Sequence, residues 1–303
     1  MKTLLMLTGR NVKMYFKDKG MFFTSLITPL ILIVLFLTFL GNIYRQNFLS
    51  IIPEGVEVPN ALSEAFAGGF LFSALLSVCC VTVAFCSNLL VIQDKVTGAR
   101  RDIIMTPVKG STLALSYFLS TAFTTLIICM TALCVGFLYL GKVGWYLSAS
   151  DVILCVCDVV LLTFFGTALS SVVNYPLSTQ GQASAVGTIV SSMYGFISGA
   201  YMPISQFSSG IKTFISCLPG TYGTILLHRH FINGVMRELE GEYVPDIIVD
   251  EFRAAFDMRA ELFGHELNDV HMYLILGGAT LLLIILYVIL NLFKNNKKNR
   301  IKG

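Results

Sequence analysis

The chain has 303 residues, of which 55% are hydrophobic and only 13% are charged, and its net charge is +3. Soluble domains carry roughly 25% charged residues, and a soluble core built from a chain of this length cannot hide so much apolar surface. The composition therefore excludes a soluble globular protein. Long apolar runs between clusters of charge predict instead a chain embedded in lipid.

Six of these runs approach the roughly 20 apolar residues that a helix needs to cross a bilayer. The predicted spans are residues 21–41, 68–92, 111–140, 148–173, 183–202 and 271–293. Pro29 lies inside the first span and is expected to kink it. The sequence predicts an all-α, polytopic membrane protein with about six transmembrane helices, which form a single domain over residues 1–303.

Residues 1–20 precede the first span and are too polar to cross the bilayer. At 100° per residue, their basic side chains fall on one narrow face of a helix. These residues are Lys2, Arg10, Lys13 and Lys17. The pattern favours a helix that lies in the cytoplasmic interface. The alternative is a plain basic flank for the first span.

Lysine and arginine are abundant before the first span, in the second loop and after the last span, and they are scarce in the first and third loops. Loops rich in these residues stay in the cytoplasm. Both chain ends and the second loop are therefore predicted to be cytoplasmic, in a multi-pass protein of the cell membrane.

The second loop, residues 93–110, is short, amphipathic and mixed in charge. The residues that define it are Asp94, Gly98, Arg100, Arg101, Ile104, Met105 and Pro107. A short helix held between two spans can pass the motion of a cytoplasmic partner to those spans. An ordinary charged loop is the alternative.

Asp158 lies inside the fourth predicted span. A carboxylate at that depth costs roughly 2.5–3.5 kcal/mol and normally faces a polar interior. Two interpretations are open: a residue of a transport path or gate, or a structural hydrogen bond to a neighbour such as Thr163 or to another span. In the fifth span, Gly195 and Gly199 form a GxxxG pattern that permits close helix contact.

Residues 203–233 contain two apolar stretches, 207–218 and 221–232, each too short to cross the bilayer. Pro219 breaks them apart, and Pro203 separates them from the fifth span. Two half-length helices joined by a tight turn predict a re-entrant hairpin. The alternative is an irregular surface loop.

The next segment, residues 234–270, is rich in acidic residues and is predicted to form a small outer cap. Pro245 is expected to open a helix in which apolar residues recur at helical spacing until Gly264 stops it. The apolar residues are Ile248, Phe252, Phe256 and Phe263.

No catalytic or metal site is predicted. His228 and His230 point to different faces of a helix, and Arg229 with Tyr222 is interpreted as an interfacial anchor. Residues 136–142 fit the first seven positions of a phosphate loop, but Val143 stands where the motif needs Ser or Thr to bind magnesium.

The second loop and residues 196–234 resemble the permease subunit of type-2 ABC transporters, the class that includes drug and polysaccharide exporters. In the loop, the matching residues are Gly98, Arg100, Arg101, Ile103, Ile104, Met105, Thr106 and Pro107. Downstream they are Ser198, Gly199, Met202, Pro203, Ile204, Ser205, Leu218, Pro219 and Tyr222. Family loops often begin with a glutamate where this chain has Gln93 and Asp94, and the acidic outer segment is longer than in compact members.

The resemblance implies an ATP-driven exporter in which two permease chains pair with separate nucleotide-binding subunits. This chain would hold no cofactor, because ATP and Mg would bind to the partner, and no nucleic acid is expected. The second loop would be the coupling helix, with Asp94, Gly98, Arg100, Arg101, Ile104, Met105 and Pro107 as its ATPase contacts. The path or gate would include Asp158, Gly199, Pro203, Pro219 and Tyr222, and the dimer seam Gly195 and Gly199.

A path so poor in charge suits an amphipathic or lipid-like solute that moves outward between two permease chains. Two alternatives remain open from the sequence. One is a secondary transporter or channel that ATP does not drive. The other is a membrane sensor or immunity protein that transports nothing.

Overall fold

The computed structural model describes residues 1–53, 55–197, 199, 201, 204–262 and 265–300, although side chains are not described at 205, 242, 246, 247 and 293–300. Its helices, in chain order, are α1 (Lys2–Lys17), α2 (Lys19–Leu35), α3 (Gly41–Ile51), α4 (Asn60–Val96), α5 (Ala99–Met105), α6 (Gly110–Val143), α7 (Ala149–Val173), α8 (Gln180–Ile197), α9 (Ser209–Ser216), α10 (Pro219–Glu242), α11 (Asp246–Ala255) and α12 (Asp269–Arg300). The predicted all-α, polytopic class is confirmed. The described residues add one short antiparallel ribbon, β1 (Glu261–Leu262) with β2 (His265–Glu266).

The central element is α4, a helix of 37 residues that is buried along most of its length. A helix that is apolar all round belongs in a core, and α2, α3, α6, α7, α8 and α10 all pack against it. Small residues allow the closest of these contacts. At Gly166 of α7, an added Cβ would collide with the carbonyl oxygen of Cys80 in α4.

Five helical runs are long and apolar enough to cross a membrane: 19–51, 60–96, 110–143, 149–173 and 269–292. They contain five of the six predicted spans, apart from Ser148 and Phe293 at their edges. The first run is longer than predicted because α2 continues into α3 through a π turn, Phe36–Leu40. Pro29 lies inside α2, upstream of that turn.

The fifth predicted span, residues 183–202, corresponds to α8, which is not among the five runs in the described part of the chain. It has 18 residues, or about 27 Å of helix, and polar residues interrupt its apolar sequence. Near its end, the Tyr194 hydroxyl donates to the carbonyl oxygen of Gly220 at 3.2 Å. The last residues of α8 therefore meet the first residues of α10.

Helices α9 and α10 occupy the region of the predicted hairpin, and the break falls at Cys217–Leu218, immediately before Pro219. The predicted half-length second arm is wrong, because α10 has 24 residues and continues past 233 to Glu242. Thr224 contacts Ser77, at the middle of α4, and Phe231 lies beside Gly69, nearer the start of α4. The insertion of this hairpin into the bilayer stays a prediction.

The helix predicted to begin at Pro245 is α11, which starts at Asp246. It ends at Ala255, so the predicted continuation towards Gly264 is wrong. Asp257 follows with a φ of 55°, in the left-handed region, and the chain turns into the ribbon. Phe252 and Phe256 are buried against the spans through the rings of α3 and α4. Phe263 and Gly264 lie outside the described residues.

The two ends of the bundle carry different elements. Helix α1, helix α5, the α7–α8 connection and the C-terminal part of α12 are joined at one end, here called the α5 end. Helix α11 and the ribbon lie at the opposite end, here called the α11 end. The three basic segments, which are the N-terminal segment, the second loop and the C-terminal segment, therefore lie at the same end of the bundle. Their predicted location on one side of the membrane requires this.

Replacement of Gly166 by Ala should destabilise the fold by about 1–3 kcal/mol, because the new Cβ must push α7 away from the backbone of α4. Thermal unfolding of the purified protein in detergent measures the effect. The matched control is Gly187→Ala in α8, where an added Cβ meets nothing within 4 Å. If both variants unfold at the same temperature as the wild type, the close α4–α7 contact is not present.

Candidate functional site

The first candidate site is α5, the short helix between the second and third spans. Gly98 is the residue immediately before α5, and its φ of 85° turns the chain from the end of α4 into α5. No residue of α5 is buried. The side chains of Ile104 and Met105 are 40% and 73% exposed, beside the exposed Arg101. Helix α5 thus presents an apolar and charged surface that no described part of the chain covers.

The predicted coupling segment is shorter in the structure than in the sequence interpretation. Residues 93–96 continue α4, so α5 has seven residues rather than most of the stretch 93–110. Arg100 is half-buried, and Pro107 is exposed just after the helix. Four of the predicted contact residues are therefore exposed on the helix and the turn after it, and Gly98 and Arg100 are half-buried.

Asp94 is placed differently from the other residues predicted to contact the ATPase. Its side chain is 1% exposed at the end of α4. Arg10 of α1 donates to both carboxylate oxygens, at 2.7 and 3.2 Å, and the Tyr117 hydroxyl of α6 donates at 2.6 Å. The hydrogen bond to Asp94 raises the pKa of Arg10, which keeps the guanidinium charged. Asp94 therefore joins α1, α4 and α6 instead of facing a partner.

The next residue makes a second connection at the α5 end. The Lys95 ammonium donates to the carbonyl oxygens of Tyr175 and Leu177, at 3.2 and 2.8 Å. The Tyr175 hydroxyl in turn donates to the carbonyl oxygen of Leu290 in α12, at 2.6 Å. Consecutive residues before α5 thus attach it to α1 and α6 on one side and to the ends of α7 and α12 on the other.

The second candidate site surrounds Asp158, deep in α7. Nδ1 of His230 in α10 lies 2.6 Å from one carboxylate oxygen, and the Tyr273 hydroxyl of α12 donates to the other. The predicted neighbour Thr163 is not the partner, because its hydroxyl donates to the sulfur of Cys80. Asp158 and His230 are buried and Tyr273 is half-buried, and the cluster joins three helices through one carboxylate.

Helix α10 carries further polar contacts along its buried face. Nδ1 of His228 lies 2.7 Å from Oγ of Ser73, and its ring stacks on Phe70. The hydroxyls of Thr224 and Ser77 are 2.5 Å apart. Each pair crosses between α10 and α4. His228 thus bonds to α4, whereas His230 bonds to α7.

Arg229, which the sequence predicts as an interfacial anchor, forms its contacts within the chain. It donates to the carboxylate of Asp269 and to the carbonyl oxygen of Met258, each at 2.5 Å. Tyr222 is buried and donates to the carbonyl oxygen of Ser216 at 2.5 Å, which closes the α9–α10 turn. Tyr222 therefore closes the hairpin, and Arg229 joins α10 to the segments on either side of the ribbon.

The remaining predicted gate and seam residues cluster around the hairpin. Pro219 is the first residue of α10 and lines an apolar crevice of about 490 Å³ with α7, α8 and α12. Gly195 is covered by the ring of Tyr201 within the same chain, and Gly199 has a φ of 67°. The close approach that Gly195 permits is therefore a contact within the chain. Pro203 lies outside the described residues.

Sequence reasoning missed His230, Tyr273, Arg10 and Tyr117 as partners of the two buried carboxylates. The signal available was a pair of buried acids, each of which needs a donor, but the donors lie 72 to 115 residues away from Asp158 and 23 to 84 from Asp94. No group of three or more possible metal ligands occurs among the described residues.

Comparison with known proteins identifies a family. The model of the family described as ABC-2 family transporter protein matches residues 49–293, which include both candidate sites. No curated protein matches the chain.

The ion pair between Arg10 and Asp94 should be coupled far more strongly than an exposed pair. A double-mutant cycle with Arg10→Gln and Asp94→Asn should give a coupling of about 1.5–3 kcal/mol, because the carboxylate is buried. Thermal unfolding in detergent measures it. The control cycle uses Arg45 and Glu64, which are 3.7 Å apart with an exposed carboxylate, and it should give less than about 1 kcal/mol. Equal couplings would contradict the assigned role.

Substitutions at Asp158 and His230 should have non-additive effects on the free energy of unfolding. Asp158→Ala and His230→Ala should each cost about 2 kcal/mol or more, since each leaves a buried polar partner unsatisfied. The double variant should cost clearly less than the sum of the two. Additive losses in thermal unfolding would show that the two side chains do not interact.

Proposed function

The chain belongs to the ABC-2 family of transporter membrane proteins, a family of permeases that are not themselves catalytic, and we propose that it is the permease subunit of an ATP-driven exporter. Chains of this family work with an ABC ATPase partner. The partner would bind ATP and Mg, and this chain would supply the membrane path. The single observation that carries the proposal is the exposed, firmly mounted helix α5.

Helix α5 supports the proposal because it combines an open surface with a fixed base. Exposed apolar side chains rimmed by charge mark sites of protein contact. Ile104 and Met105 supply the apolar surface, and Arg101 and Asp102 supply the charge. Asp94 and Lys95 attach the base to α1, α6 and the ends of α7 and α12. A partner that moves α5 therefore moves several spans.

A second permease copy is supported by the surface of α8. Its first half exposes small residues where other spans expose large apolar ones; these residues are Gly181, Ser184, Ala185 and Thr188. Without large side chains, helix backbones can approach closely in a membrane. By contrast, α12 exposes Leu281, Leu282 and Ile285. We therefore place the copy-to-copy contact and the path on the α8 side, in a homodimer or with a related chain.

The cargo class follows from the crevice beside α8. This crevice has a volume of about 490 Å³, and its lining includes Phe165, Met193 and Leu283. No acid or base is among the residues that line it. An amphipathic or lipid-like solute suits such walls, because an ion would lose its hydration there without a compensating charge. Export would be outward through the α11 end.

An ion-coupled transporter is the competing function, and Asp158 is the observation that favours it. In the structure, however, both oxygens of Asp158 are engaged by His230 and Tyr273. Release of a bound ion would have to break those contacts. We therefore assign Asp158 to the stability of the bundle.

Substitution of Met105 by Glu should uncouple the chain from its ATPase, because a charge would enter the apolar contact of α5. The ATPase activity of the partner that copurifies with the tagged chain should be at least about tenfold lower than for the wild type, as is typical for a residue at the centre of an interface. The control variant, Met105→Leu, keeps an apolar side chain of similar size and should lose less than about twofold.

The driving force is tested with the same preparations in vesicles. A fluorescent amphiphile should be moved when ATP is supplied without an ion gradient, and not when an ion gradient is supplied without ATP. Movement driven by the gradient alone would overturn the exporter proposal. Equal ATPase recovery with Met105→Glu would overturn the role of α5.

A further inference from the structure

Helix α1 has two unlike faces. Its buried face is polar: Arg10 and Asn11 lie against α4 and α6, and the Tyr15 hydroxyl donates to Ser25 of α2 at 2.7 Å. Its open face exposes large apolar side chains, with Leu5 at 70% and Met6 at 69%. This is the reverse of a helix on a soluble domain, so the open face is suited to lipid.

A groove of about 770 Å³ opens between this face and α6. Leu5, Val12 and Phe16 of α1 and Phe123 of α6 form its apolar part. Gly9 leaves the middle of the groove clear, because an added Cβ there would meet nothing within 4 Å. The groove therefore has room for a ligand beside the helix.

Two lysines line the same groove, Lys13 and Lys17. Neither forms a salt bridge with any acid in the described part of the chain, and the nearby Asp18 caps α2 through the backbone N–H of Met21. Two cations without acidic partners, set beside apolar walls, are complementary to an anionic headgroup.

The groove continues into the bundle. Phe16 also lines a second apolar groove of about 380 Å³, which runs between α2 and α6. Leu75 and Cys79 of α4 form its floor, and Ile33 and Val135 lie at its far end. From Phe22 to Ile33 along α2 it is about 17 Å long. A charged opening followed by an elongated apolar groove has the shape of a lipid headgroup and one of its chains.

We propose that the α1–α2–α6 groove is a binding site for one phospholipid with an anionic headgroup. Lys13 and Lys17 bind the headgroup, and an acyl chain lies over Leu75 between α2 and α6. The charge complementarity and the continuity of the two grooves through Phe16 select this occupant over a neutral lipid. The inference does not depend on the transport function.

The test uses tryptophan quenching by brominated lipids in vesicles. Trp145 is the single tryptophan and lies at the far end of the bundle, so a Trp145→Phe, Phe123→Trp protein reports on the groove alone. Vesicles contain phosphatidylcholine with a minor fraction of phosphatidylglycerol, and either lipid carries the bromine. Because each lysine contributes roughly fivefold near an anionic headgroup, we expect a preference for phosphatidylglycerol of at least about tenfold.

The matched variants separate a site from general surface charge. Lys13→Gln with Lys17→Gln should reduce the preference to near one. Lys2→Gln with Lys19→Gln removes the same amount of charge from the first 20 residues, at positions outside the groove lining. This double variant should keep most of the preference for phosphatidylglycerol. An equal loss in both double variants, or quenching that simply follows the mole fractions, would overturn the site.

Filling the groove gives a second measurement. Gly9→Leu has space to fold and should displace the bound lipid, so quenching by brominated phosphatidylglycerol should fall to the level of bulk lipid. Gly277→Leu, an equally open position on α12, should leave quenching unchanged. Unchanged quenching in Gly9→Leu, with the protein folded by circular dichroism, would also overturn the site.

Discussion

The structure depends on one constraint: a polar group buried among lipid-embedded helices must find its partner within the chain. Such a group has no water to bond with, and an unsatisfied one costs several kcal/mol. Helix α10 shows the constraint most clearly. Thr224 and His228 reach α4, and His230 reaches α7. The position and rotation of α10 are therefore set by these pairs, because a shift by one residue would separate all of them.

The same pairs divide the molecule into a firm part and an open part. Asp158 joins α7, α10 and α12, and Gly166 brings α7 against α4. These helices form one packed body. Helix α5 has no buried residue, and the surface of α8 is largely open. Elements with few packing partners can change position at low cost, so α8, which packs mainly on α4, is expected to move relative to this body. A partner that moves α5, by contrast, moves the body itself through the bonds of Asp94 and Lys95.

Sequence alone was enough for the elements whose signal is local. Apolar runs located five of the spans because lipid burial requires about 20 apolar residues wherever the run lies. Gly98 and Pro107 marked the short helix after the second span. The length of α10 could not be predicted, because the polar residues from 234 onward are typical of a segment outside the membrane. Beyond residue 232, Asn233 and Arg237 donate to Asp151 of α7, a partner more than 80 residues away in sequence.

Buried acids illustrate the same limit for the candidate sites. The sequence identified Asp158 as costly to bury and placed Asp94 in a cytoplasmic contact, but neither partner set was visible. Local spacing carries no information about Arg10, which lies 84 residues before Asp94. Long-range pairs follow from the packing of whole helices, and that packing depends on shape along their full length.

Helix α1 shows why the partner of Asp94 matters for mechanism. Through Arg10 it is attached to the last turn of α4, three residues before Thr97 and the start of the α5 turn. On the same helix, Lys13 and Phe16 line the groove that we propose as a lipid site. With lipid bound there, a force on α5 would also act against the anchoring of α1 in the membrane. Since the attraction of such a helix to a membrane grows with the content of anionic lipid, membrane composition would then set how firmly the base of α5 is held.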